Sequence, residues 1–495
     1  MSFFFQVDAL ERDAFEVLRM IRAMKNLIAP INRIPPEVLS QIPDYCDDDS
    51  LDKTLIALTH VCHDWREMFI SIPSLWTSLK SNTADKTRTY LKRSKPSPIN
   101  VYIVDERDVD NPFRLIIPHV PRLKSLIIRL PSLPNIPPGF HCRAPLLETL
   151  KIDATGILDD ALFNGDLSSL RELHLKANTS LPWRNMANLQ VFNLRTYCDE
   201  FGTTQIFDFL ESAPLLHTIS LVFSNPKISD APPERILHLP HLKKLNVKSE
   251  DSHLTILKHF KIPVGASLTS KFYLSDDVSP LSGYLHPETS PVLHNLSHIT
   301  KINLLYNPTK KFTQLIGPNG CLRVIARRGN SSTTFMNDQI RRSLPSSMLS
   351  TTQSLTFSWY NHKEVPKIEE CPIFQTLSSA NDLRTLSLVS CNQNPFFIAL
   401  DPGQNPSNPV RCLNLKKLVL YSVYGSGAPP NVKLLIEMAK NRASRGAKLS
   451  SVTLVTLKCR VNEKKVLKLR EHVTHLEYRN DVSVPDWDTV FDEGE

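Results

Sequence analysis

The sequence predicts an α/β protein in which a small α-helical module precedes a curved solenoid. The solenoid is expected to carry parallel strands on its concave face and helices or loops on its convex face. Three observations predict this class: residues 34–76 carry a surplus of apolar side chains at helical spacing, the pattern LxxLxL recurs from Leu123 onward, and prolines precede several copies at a constant offset. Strands that recur at such intervals stack side by side and bury a shared core.

Length and composition place the chain among folded proteins without a disulfide or zinc framework. Its 495 residues exceed one ordinary compact domain, and a hydrophobic fraction of 41% is typical of a globular chain. Nine cysteines form an odd, scattered set without a CxxC pair. We therefore expect reduced thiols in an intracellular compartment, with no metal and no other cofactor.

Charge and apolar runs exclude several classes of partner. A formal net charge of +8 over the whole chain is not the dense basic stripe of a nucleic-acid binder. The amino end, MSFFFQVDALERD, lacks the basic region of a signal peptide. No apolar run approaches the ~20 residues that span a bilayer. We expect a soluble protein of the cytoplasm, the nucleus or both, without a nucleic-acid or membrane partner.

Residues 1–29 are expected to form an amphipathic helix, regular from Asp8 to Ile28, because proline and glycine are absent before Pro30. Alternating steps of three and four residues give it an apolar seam: Val7, Leu10, Ala14, Val17, Ile21, Met24 and Ile28. This heptad pattern fits a short dimerising coiled coil or a helix that packs on its own chain. Three heptads with an alanine in the seam are marginal for association, so the sequence favours packing on the same chain.

Residues 30–80 are expected to form the helical module. Pro35 and Pro36 suit the first turn of a helix, and Pro43 ends that helix early. The next helix carries an apolar stripe at three- and four-residue spacing: Leu55, Leu58, Cys62 and Trp65. A unit of about 45 residues cannot bury all of its apolar side chains, so part of its surface is expected to be an interface. The alternative is that the surplus packs against the repeats that follow.

Three segments of this module, IPPEVL, LTHVCHDW and SIPSLW, resemble the fungal-type F-box. The resemblance implies a three-helix module whose exposed apolar residues bind the adaptor Skp1, which connects to a cullin in a cullin–RING ubiquitin ligase. The residues that it assigns to Skp1 binding are Ile34, Pro35, Pro36, Val38, Leu39, Ile42, Leu58, Val61, Cys62, Trp65, Leu75 and Trp76. Pro43 departs from the family pattern, in which an aromatic residue often follows the isoleucine.

The pattern LxxLxL marks strand-like segments through residues 81–480. Clear copies begin at Leu123, Leu147, Leu170, Leu189, Leu216, Leu242, Ile299, Leu383, Leu415 and Leu449, and weaker ones surround Phe272, Ile325, Leu355 and Leu476. Strand alternation directs the fourth and sixth positions inward and the third, fifth and seventh onto the concave face. In four copies a proline lies five residues before the central position and is expected to turn the chain into the strand. The period resembles leucine-rich repeats. The alternative is a set of unrelated strands in an ordinary α/β domain.

Three segments fall outside this pattern. Residues 275–298 and 392–412 are rich in proline, serine and asparagine and are expected to be long loops. The tail 481–495 is acidic and carries Trp487 and Phe491. It is expected either to fold over the open end of the solenoid or to stay disordered.

The sequence carries no constellation typical of a catalytic site. His294 and His298 have the four-residue spacing of metal ligands on a helix, but the glutamate of a zinc protease motif is missing between them. The glycines of residues 317–320 lack the Lys-Ser/Thr of a phosphate-binding loop. We therefore expect a non-catalytic protein with no catalytic, cofactor-binding or metal-binding residues.

The predicted concave face is basic in the early repeats. The cations at its third, fifth and seventh positions are Arg129, Lys151, His174, Lys176, Arg195, Lys244 and Lys248. Such a surface could recruit an acidic or phosphorylated segment of a target protein. The alternative is ordinary solvated charge on a strand face.

These features predict a substrate receptor of a cullin–RING ubiquitin ligase, in which the module binds a Skp1-like adaptor and the repeats bind a target protein. A second hypothesis is a repeat scaffold that acts outside ubiquitin transfer and uses the module only for packing; the departure at Pro43 supports it. A third is an enzyme with a site in the long loops, which would require a polar pocket around His294 and His298.

Overall fold

A computed structural model describes residues 2–45, 51–80, 83–104, 110–132, 140–155, 162–176, 181, 186–196, 203–223, 235–249, 257, 259–274, 299–306, 311–326, 350–359, 377, 380–389, 391, 393–403, 410–423, 430–457 and 461–479. The structure is mixed α/β, with mostly parallel strands and, within these ranges, ten α-helices. The predicted α/β class is therefore confirmed. The chain divides into two compact units, Met1–Glu172 and Leu173–Glu495.

The first unit contains the helical elements of the amino-terminal part. Its helices are α1 (Ser2–Ile28), α2 (Pro36–Leu39), α3 (Leu51–Leu58), α4 (His63–Ser71), α5 (Ala84–Arg93) and α6 (Asp110–Ile116). Short 3₁₀ turns cover Pro30–Arg33, Ile42–Tyr45, Pro73–Trp76 and Ile117–Arg122. Helix α5 begins where the Thr83 hydroxyl accepts a hydrogen bond from the Lys86 amide, a typical amino-terminal cap.

Helix α1 differs from the sequence-based expectation in two ways. It begins at Ser2 rather than near Asp8, and its apolar seam does not pack on the described part of the chain. From Gln6 to Lys25 every side chain is exposed except the half-buried Ala9. The expected packing of this helix on its own chain is therefore wrong for the described residues. Periodicity identifies the apolar face of a helix, but it does not identify what covers that face.

Four parallel strands lie in the described part of the first unit. They are β1 (Ser78–Lys80), β2 (Ile99–Ile103), β3 (Leu123–Ser132) and β4 (Thr149–Thr155), and they pair in chain order. The sequence pattern predicted strands from Leu123 onward and missed β1 and β2. Their sequences, SLK and INVYI, lack the leucine spacing by which the later strands are recognised.

The described residues of the second unit contain most of the repeated strands and four helices. Its strands are β5 (Glu172–Lys176, which starts at the unit boundary), β6 (Val191–Thr196), β7 (Thr218–Phe223), β8 (Leu237–His238), β9 (Lys244–Ser249), β10 (Phe260–Lys261), β11 (Ser267–Leu274), β12 (Lys301–Tyr306), β13 (Lys311–Gly317), β14 (Gly320–Ala326), β15 (Ser354–Trp359), β16 (Thr385–Val389), β17 (Lys417–Val423), β18 (Ser451–Leu457) and β19 (His475–Arg479). Its helices are α7 (Thr203–Glu211), α8 (Asn394–Leu400), α9 (Val432–Ser444) and α10 (Glu463–Lys468). All the described copies of LxxLxL lie in or directly before strands.

A recurring turn explains the spacing of the prolines. The amide of the first leucine of a copy donates to the carbonyl three residues earlier, as in Leu147 to Ala144 at 3.1 Å and Leu216 to Ala213 at 3.3 Å. Pro145 and Pro214 occupy the second position of these turns, where their fixed φ is favourable. These prolines therefore lie in the turns that lead into their strands, as predicted, and the same turn forms without proline before other strands, as in Leu189 to Met186 at 3.0 Å.

The alternation within the strands also follows the prediction. Leu245 and Val247 of β9 and Leu386 and Leu388 of β16 occupy the fourth and sixth positions, and all four are buried. Neighbouring strands pair position by position, so buried rows continue from strand to strand. This stacking of equivalent apolar positions forms the core of the second unit.

Strands β12, β13 and β14 depart from a simple series of parallel strands. The order of pairing is β6, β7, β9, β11, β14, β13, β12, β15, β16, β17, β18 and β19. Strand β13 is antiparallel to both neighbours, so these three strands form a meander inserted in reverse order. Gly317 and Gly320 pair across a turn at Pro318 and Asn319, and two-residue loops of this kind join antiparallel strands.

The predicted loop 392–412 is also partly wrong, because it contains helix α8. Pro395 stands in the first turn of α8, where a missing amide is harmless. Phe396, Phe397 and Leu400 form its buried face. Residues 275–298, with His294 and His298, lie outside the described residues, and so does the tail 481–495.

Arg442 of α9 stabilises the turn that leads into β17. Its side chain has 0% exposure, and its guanidinium donates to the carbonyls of Arg411 at 2.9 Å and Cys412 at 2.8 Å. The Cys412 carbonyl also accepts the amide of Leu415, which closes the turn before the strand. Burial lowers the pKa of Arg442. The buried guanidinium thus supplies hydrogen-bond donors to two carbonyl groups of this turn.

Candidate protein-docking surfaces

Residues 34–76 fold around one apolar cluster. Leu39, Trp65 and Phe69 form its buried centre, and the rings of Trp65 and Phe69 meet edge to face with centroids 5.8 Å apart. The partly buried side chains around them are Ile34, Ile42, Leu58, Cys62, Met68 and Leu75. All of these residues belong to the same segment, so the helical module supplies its own core.

Trp65 has its polar atom satisfied inside the module. Its Nε1 donates a hydrogen bond to Oδ1 of Asn32 at 2.7 Å. The side-chain amide of Asn32 donates in turn to the carbonyl of Asn26, in the last turn of α1, at 2.6 Å. A buried indole usually requires such a partner, because an unmade hydrogen bond is costly away from water.

Trp76 fixes the end of the module to α5. Its ring has 0% exposure, its Nε1 donates to the Phe69 carbonyl at 2.9 Å, and it meets the Tyr90 ring edge to face at 5.0 Å. The guanidinium of Arg93 lies 4.3 Å from the Trp76 ring, and burial is the main cause that lowers the pKa of Arg93. This side chain therefore serves the interior of the first unit.

The structure divides the residues assigned to adaptor binding into three groups by their exposure. Leu39, Trp65 and Trp76 are buried; Ile34, Ile42, Leu58, Cys62 and Leu75 are partly buried; Pro35, Pro36, Val38 and Val61 are exposed. Val38 keeps 51% and Val61 55% of its surface in contact with solvent. In this conformation the buried group positions the module, and the exposed group is available to a partner.

Sequence reasoning missed other exposed apolar residues of this segment. Ile31, Tyr45 and Ile56 are exposed. Helical spacing could have indicated this for Ile56, because Ile56 does not fall on the apolar stripe that includes Leu58. Pro43 is buried within the turn Ile42–Tyr45, and α2 already ends at Leu39. The proline therefore lies after the helix of the first assigned residues and does not interrupt it.

In the first unit, the predicted concave cations stand beside carboxylates. Lys151 lies 3.5 Å from Glu172, and Arg129 on β3 is in register with Asp153 on β4. Both pairs are at least partly exposed, where ion pairs contribute little to stability. This part of the face is locally neutralised.

In the second unit, cations align in one row across adjacent strands. Arg195 of β6 is in register with Val222 of β7, and Val222 is in register with Lys248 of β9. Lys248 is in register with Lys271 of β11, and Lys271 is in register with Arg323 of β14. Neighbouring strands lie about 4.8 Å apart. Each of these four cations makes a further interaction within the chain. Three cations directly opposite one another on β9, β11 and β14 are nonetheless an unfavourable arrangement unless anionic groups offset it.

The other predicted cations divide between the row and other positions. His174 Nδ1 lies 2.7 Å from the side-chain amide of Asn193 on β6, and Lys176 follows His174 by two residues as Arg195 follows Asn193, so Lys176 stands at the position that corresponds to Arg195. Lys244 occupies a different register position. Lys271 and Arg323 were missed because their strands have weak leucine spacing. Only the reversed order of β12, β13 and β14 brings Arg323 beside Lys271.

The same row continues into a groove in the second half of this unit. Beyond Arg323 it runs through Gln314, Asn303, Thr356, Ser387, Val419, Thr453 and Glu477. The groove has a volume of about 350 Å³, and Lys301 and Lys417 lie at one edge of it. Its floor combines hydroxyl groups with the apolar side chains of Val389, Val419 and Val455. Such a surface can hydrogen-bond and partly bury an extended segment.

Glu477 and Arg479 close one end of this groove as a pair. Both Nε and Nη2 of Arg479 donate to Glu477 Oε1, and the Thr453 hydroxyl donates to Oε2 at 3.2 Å. The hydrogen bonds from Arg479 are the main cause that lowers the pKa of Glu477. The carboxylate is therefore satisfied, and Lys301 and Lys417 give the remaining charge of the groove a positive sign.

No protein-family model matches this chain, and no curated protein matches its sequence at a significant level. Its function is therefore inferred from these surfaces. Within the described residues, no group of three or more histidine, cysteine, aspartate or glutamate side chains is arranged to hold a metal ion. In the same ranges, no helix is both long and apolar enough to span a membrane.

Proposed function

We propose that this chain is a non-catalytic substrate receptor of a cullin–RING ubiquitin ligase. Residues 30–80 bind a Skp1-like adaptor, which connects to a cullin, and the strand face of the second unit binds a target protein. The observation that carries the proposal is a helical module with a complete core and exposed apolar residues. Val38 and Val61 remain solvent-exposed although the module buries Leu39, Trp65 and Phe69.

The sequence of the module supports adaptor binding independently of its packing. Its three segments resemble the F-box, and the exposed members Pro35, Pro36, Val38 and Val61 are among the residues assigned to adaptor contact. Exposed apolar residues beside a rigid core are typical of a docking surface, because little ordering is required on binding.

The second unit supports recognition of an acidic or phosphorylated target segment. Lys248, Lys271 and Arg323 stand in one row, and Lys301 and Lys417 border the groove that continues it. An acidic group there would share or replace the present partners of these cations and relieve their mutual repulsion. Hydroxyl and valine side chains beyond them would hold the rest of an extended segment.

The proposed mechanism is proximity. Other subunits transfer ubiquitin, and this chain holds target lysines near them, which raises their effective concentration. No residue of this chain then has to act as nucleophile, acid or base.

Co-purification of the full chain with a Skp1-like adaptor tests the first half of the proposal. We expect Val38→Asp and Val61→Asp to weaken binding by about tenfold or more, since each places a charge in an apolar contact. Val264→Asp is the matched control, because Val264 is an exposed valine of the second unit (69%). Variants of Leu39 or Trp65 would disturb the core as well and do not separate docking from folding.

Affinity purification with proteasome function blocked tests the second half. Proteins recovered with the intact chain but lost with Lys271→Glu or Ser387→Tyr are targets of the row or the groove. An intact, folded chain that recovers no Skp1-like adaptor contradicts the proposed function, whatever else it binds.

The second candidate is an interaction scaffold that acts outside ubiquitin transfer. The burial of Leu39, Trp65 and Trp76 favours it, because these residues serve packing in the first unit. The two candidates differ in one measurement. The scaffold would bind its target through the second unit with no adaptor, and Val38→Asp would change none of its complexes.

A further inference from the structure

The apolar seam of α1 is exposed along nearly its whole length. Leu10, Val17, Ile21, Met24 and Ile28 all keep about half or more of their surface in solvent. Two more apolar residues that flank the seam, Leu18 and Met20, are exposed as well. A helix of this kind gains most of its stability from packing of its apolar face, so a partner surface is required.

We propose that α1 pairs with α1 of a second copy of this chain in an antiparallel, two-fold symmetric coiled coil. The seam repeats strictly in steps of three and four residues, which places Val7, Ala14, Ile21 and Ile28 at position a and Leu10, Val17 and Met24 at position d. A 3.5-residue period keeps a seam against another helix of the same kind, whereas an ordinary core-facing helix drifts from it.

The charges beside the seam select the orientation. Position e is occupied by Glu11, Leu18 and Lys25, so an acid and a base lie symmetrically about a central leucine. In an antiparallel pair, e positions of the two helices face each other. Glu11 then lies opposite Lys25 of the second copy at both ends, and Leu18 lies opposite its own symmetry mate. The opposed helix dipoles also favour this orientation.

The same register gives complementary layers in the seam. Position a of one helix meets position d of the other, and the layers are Leu10 with Ile28, Ala14 with Met24 and Val17 with Ile21, each formed twice. The small Ala14 meets the long, flexible Met24, which can fill the space beside an alanine. The alanine that weakens a symmetric parallel seam is therefore accommodated.

Other arrangements lose the charge complementarity. In a parallel pair, position g of one helix faces position e of the other, which joins Gln6 to Glu11, Asp13 to Leu18 and Met20 to Lys25. An antiparallel pair shifted by one heptad sets Glu11 against Leu18. Neither arrangement forms an ion pair, so the sequence of α1 fits one register.

Sedimentation equilibrium of the full chain over the micromolar range tests this proposal. We expect a concentration-dependent dimer, and dimerisation about tenfold weaker for Glu11→Lys or Lys25→Glu, since each creates two like-charge pairs in the dimer. The double variant Glu11→Lys/Lys25→Glu should restore dimerisation, and so should an equimolar mixture of the two single variants. Glu16→Lys is the matched control, since Glu16 has the same charge but lies at the outer position c.

The outcomes separate the possible interfaces. A wild-type chain that stays monomeric overturns the proposal. A dimer that persists in Ile21→Asp uses another surface and overturns it too. Single variants that weaken the dimer without rescue by the double variant exclude the antiparallel register. Because these residues are exposed in the single chain, circular dichroism should show the rest of each variant folded, with any loss of helix confined to α1.

Discussion

The indole Nε1 of Trp65 donates to Oδ1 of Asn32 at 2.7 Å, and this bond joins the core of the helical module to the chain just after α1. Asn32 makes a second hydrogen bond, from its amide nitrogen to the Asn26 carbonyl at 2.6 Å. One side chain therefore fixes both the tryptophan of α4 and the last turn of α1. The bond to Trp65 is not readable from residue spacing, because Asn32 and Trp65 lie on separate segments of the chain.

Replacement of Asn32 should loosen the module. In Asn32→Leu the buried Trp65 N–H loses its acceptor, which should cost about 1–3 kcal/mol. Asn32→Asp keeps an oxygen acceptor for Trp65 but, like Asn32→Leu, lacks the donor to the Asn26 carbonyl, so the two variants differ at the Trp65 bond. Hydrogen exchange of the α4 amides in the full chain measures the difference. Equal exchange in both variants would show that the bond adds nothing to stability.

Removal of the buried Arg442 guanidinium should destabilise the second unit. Arg442→Ala removes the guanidinium that donates to the carbonyls of Arg411 and Cys412, of which Cys412 keeps the Leu415 amide, and opens a cavity beside α9. We expect a loss of about 3 kcal/mol in the free energy of unfolding. Lys440→Ala, at an exposed position of the same helix, should change it by less than about 0.5 kcal/mol. Denaturant titration measures the free energy of unfolding of both variants, and hydrogen exchange of the β17 amides shows whether the loss lies in this strand.

Two buried thiols should be unreactive towards alkylating reagents. They should also make the free energy of unfolding depend on pH in the alkaline range. Burial raises the pKa of Cys391 to about 12 and that of Cys412 to about 11. Alkylation near neutral pH should therefore reach them only after unfolding. The folded pKa values of both thiols exceed the unfolded value of about 9. The free energy of unfolding is therefore fully retained below pH 9 and falls as pH rises towards 11 and 12, where only the unfolded thiols ionise readily.

A Cys391→Ala variant should show a smaller loss of stability between pH 9 and 12 than the natural chain. Urea titrations at several pH values compare the two. An identical pH dependence would mean that this thiol does not contribute to it.

The row of cations should bind acidic polymers in a salt-dependent manner. Polyglutamate is a suitable probe, and Lys271→Ala should weaken its binding about threefold to tenfold at low salt. Lys464→Ala removes the same charge from an exposed position on α10, away from the row. A similar loss for both lysines would indicate general electrostatic attraction rather than a site.

Much of the strand pattern could be predicted from the sequence. Leu126, Leu150, Leu386 and Leu418 mark strand centres because apolar side chains at alternate positions have to be buried, and prolines lie in the turns before four of the strands. The order in which the weak copies pair could not be predicted. The turn at Pro318 and Asn319 is a local signal for pairing of β13 with β14, but residues near this turn do not determine which strands pair with the outer edges of β12 and β14.

The module shows the same limit at the level of single residues. Spacing identified Leu39, Val61 and Trp65 as members of apolar faces, but it did not separate those that pack inside from those that remain exposed. For Trp65, that separation depends on where Asn32 and Phe69 lie in space.

The sequence by itself determined the α/β class, the strand centres, the turns before them and the heptad seam of α1, because these depend on side chains close together in the chain. Only the tertiary structure decided that α1 is exposed, that Trp65 is buried and that Arg323 lies beside Lys271. The physical reason is that pairing between strands and burial of a helix face depend on segments distant in sequence. Local periodicity carries no information about which of them meet.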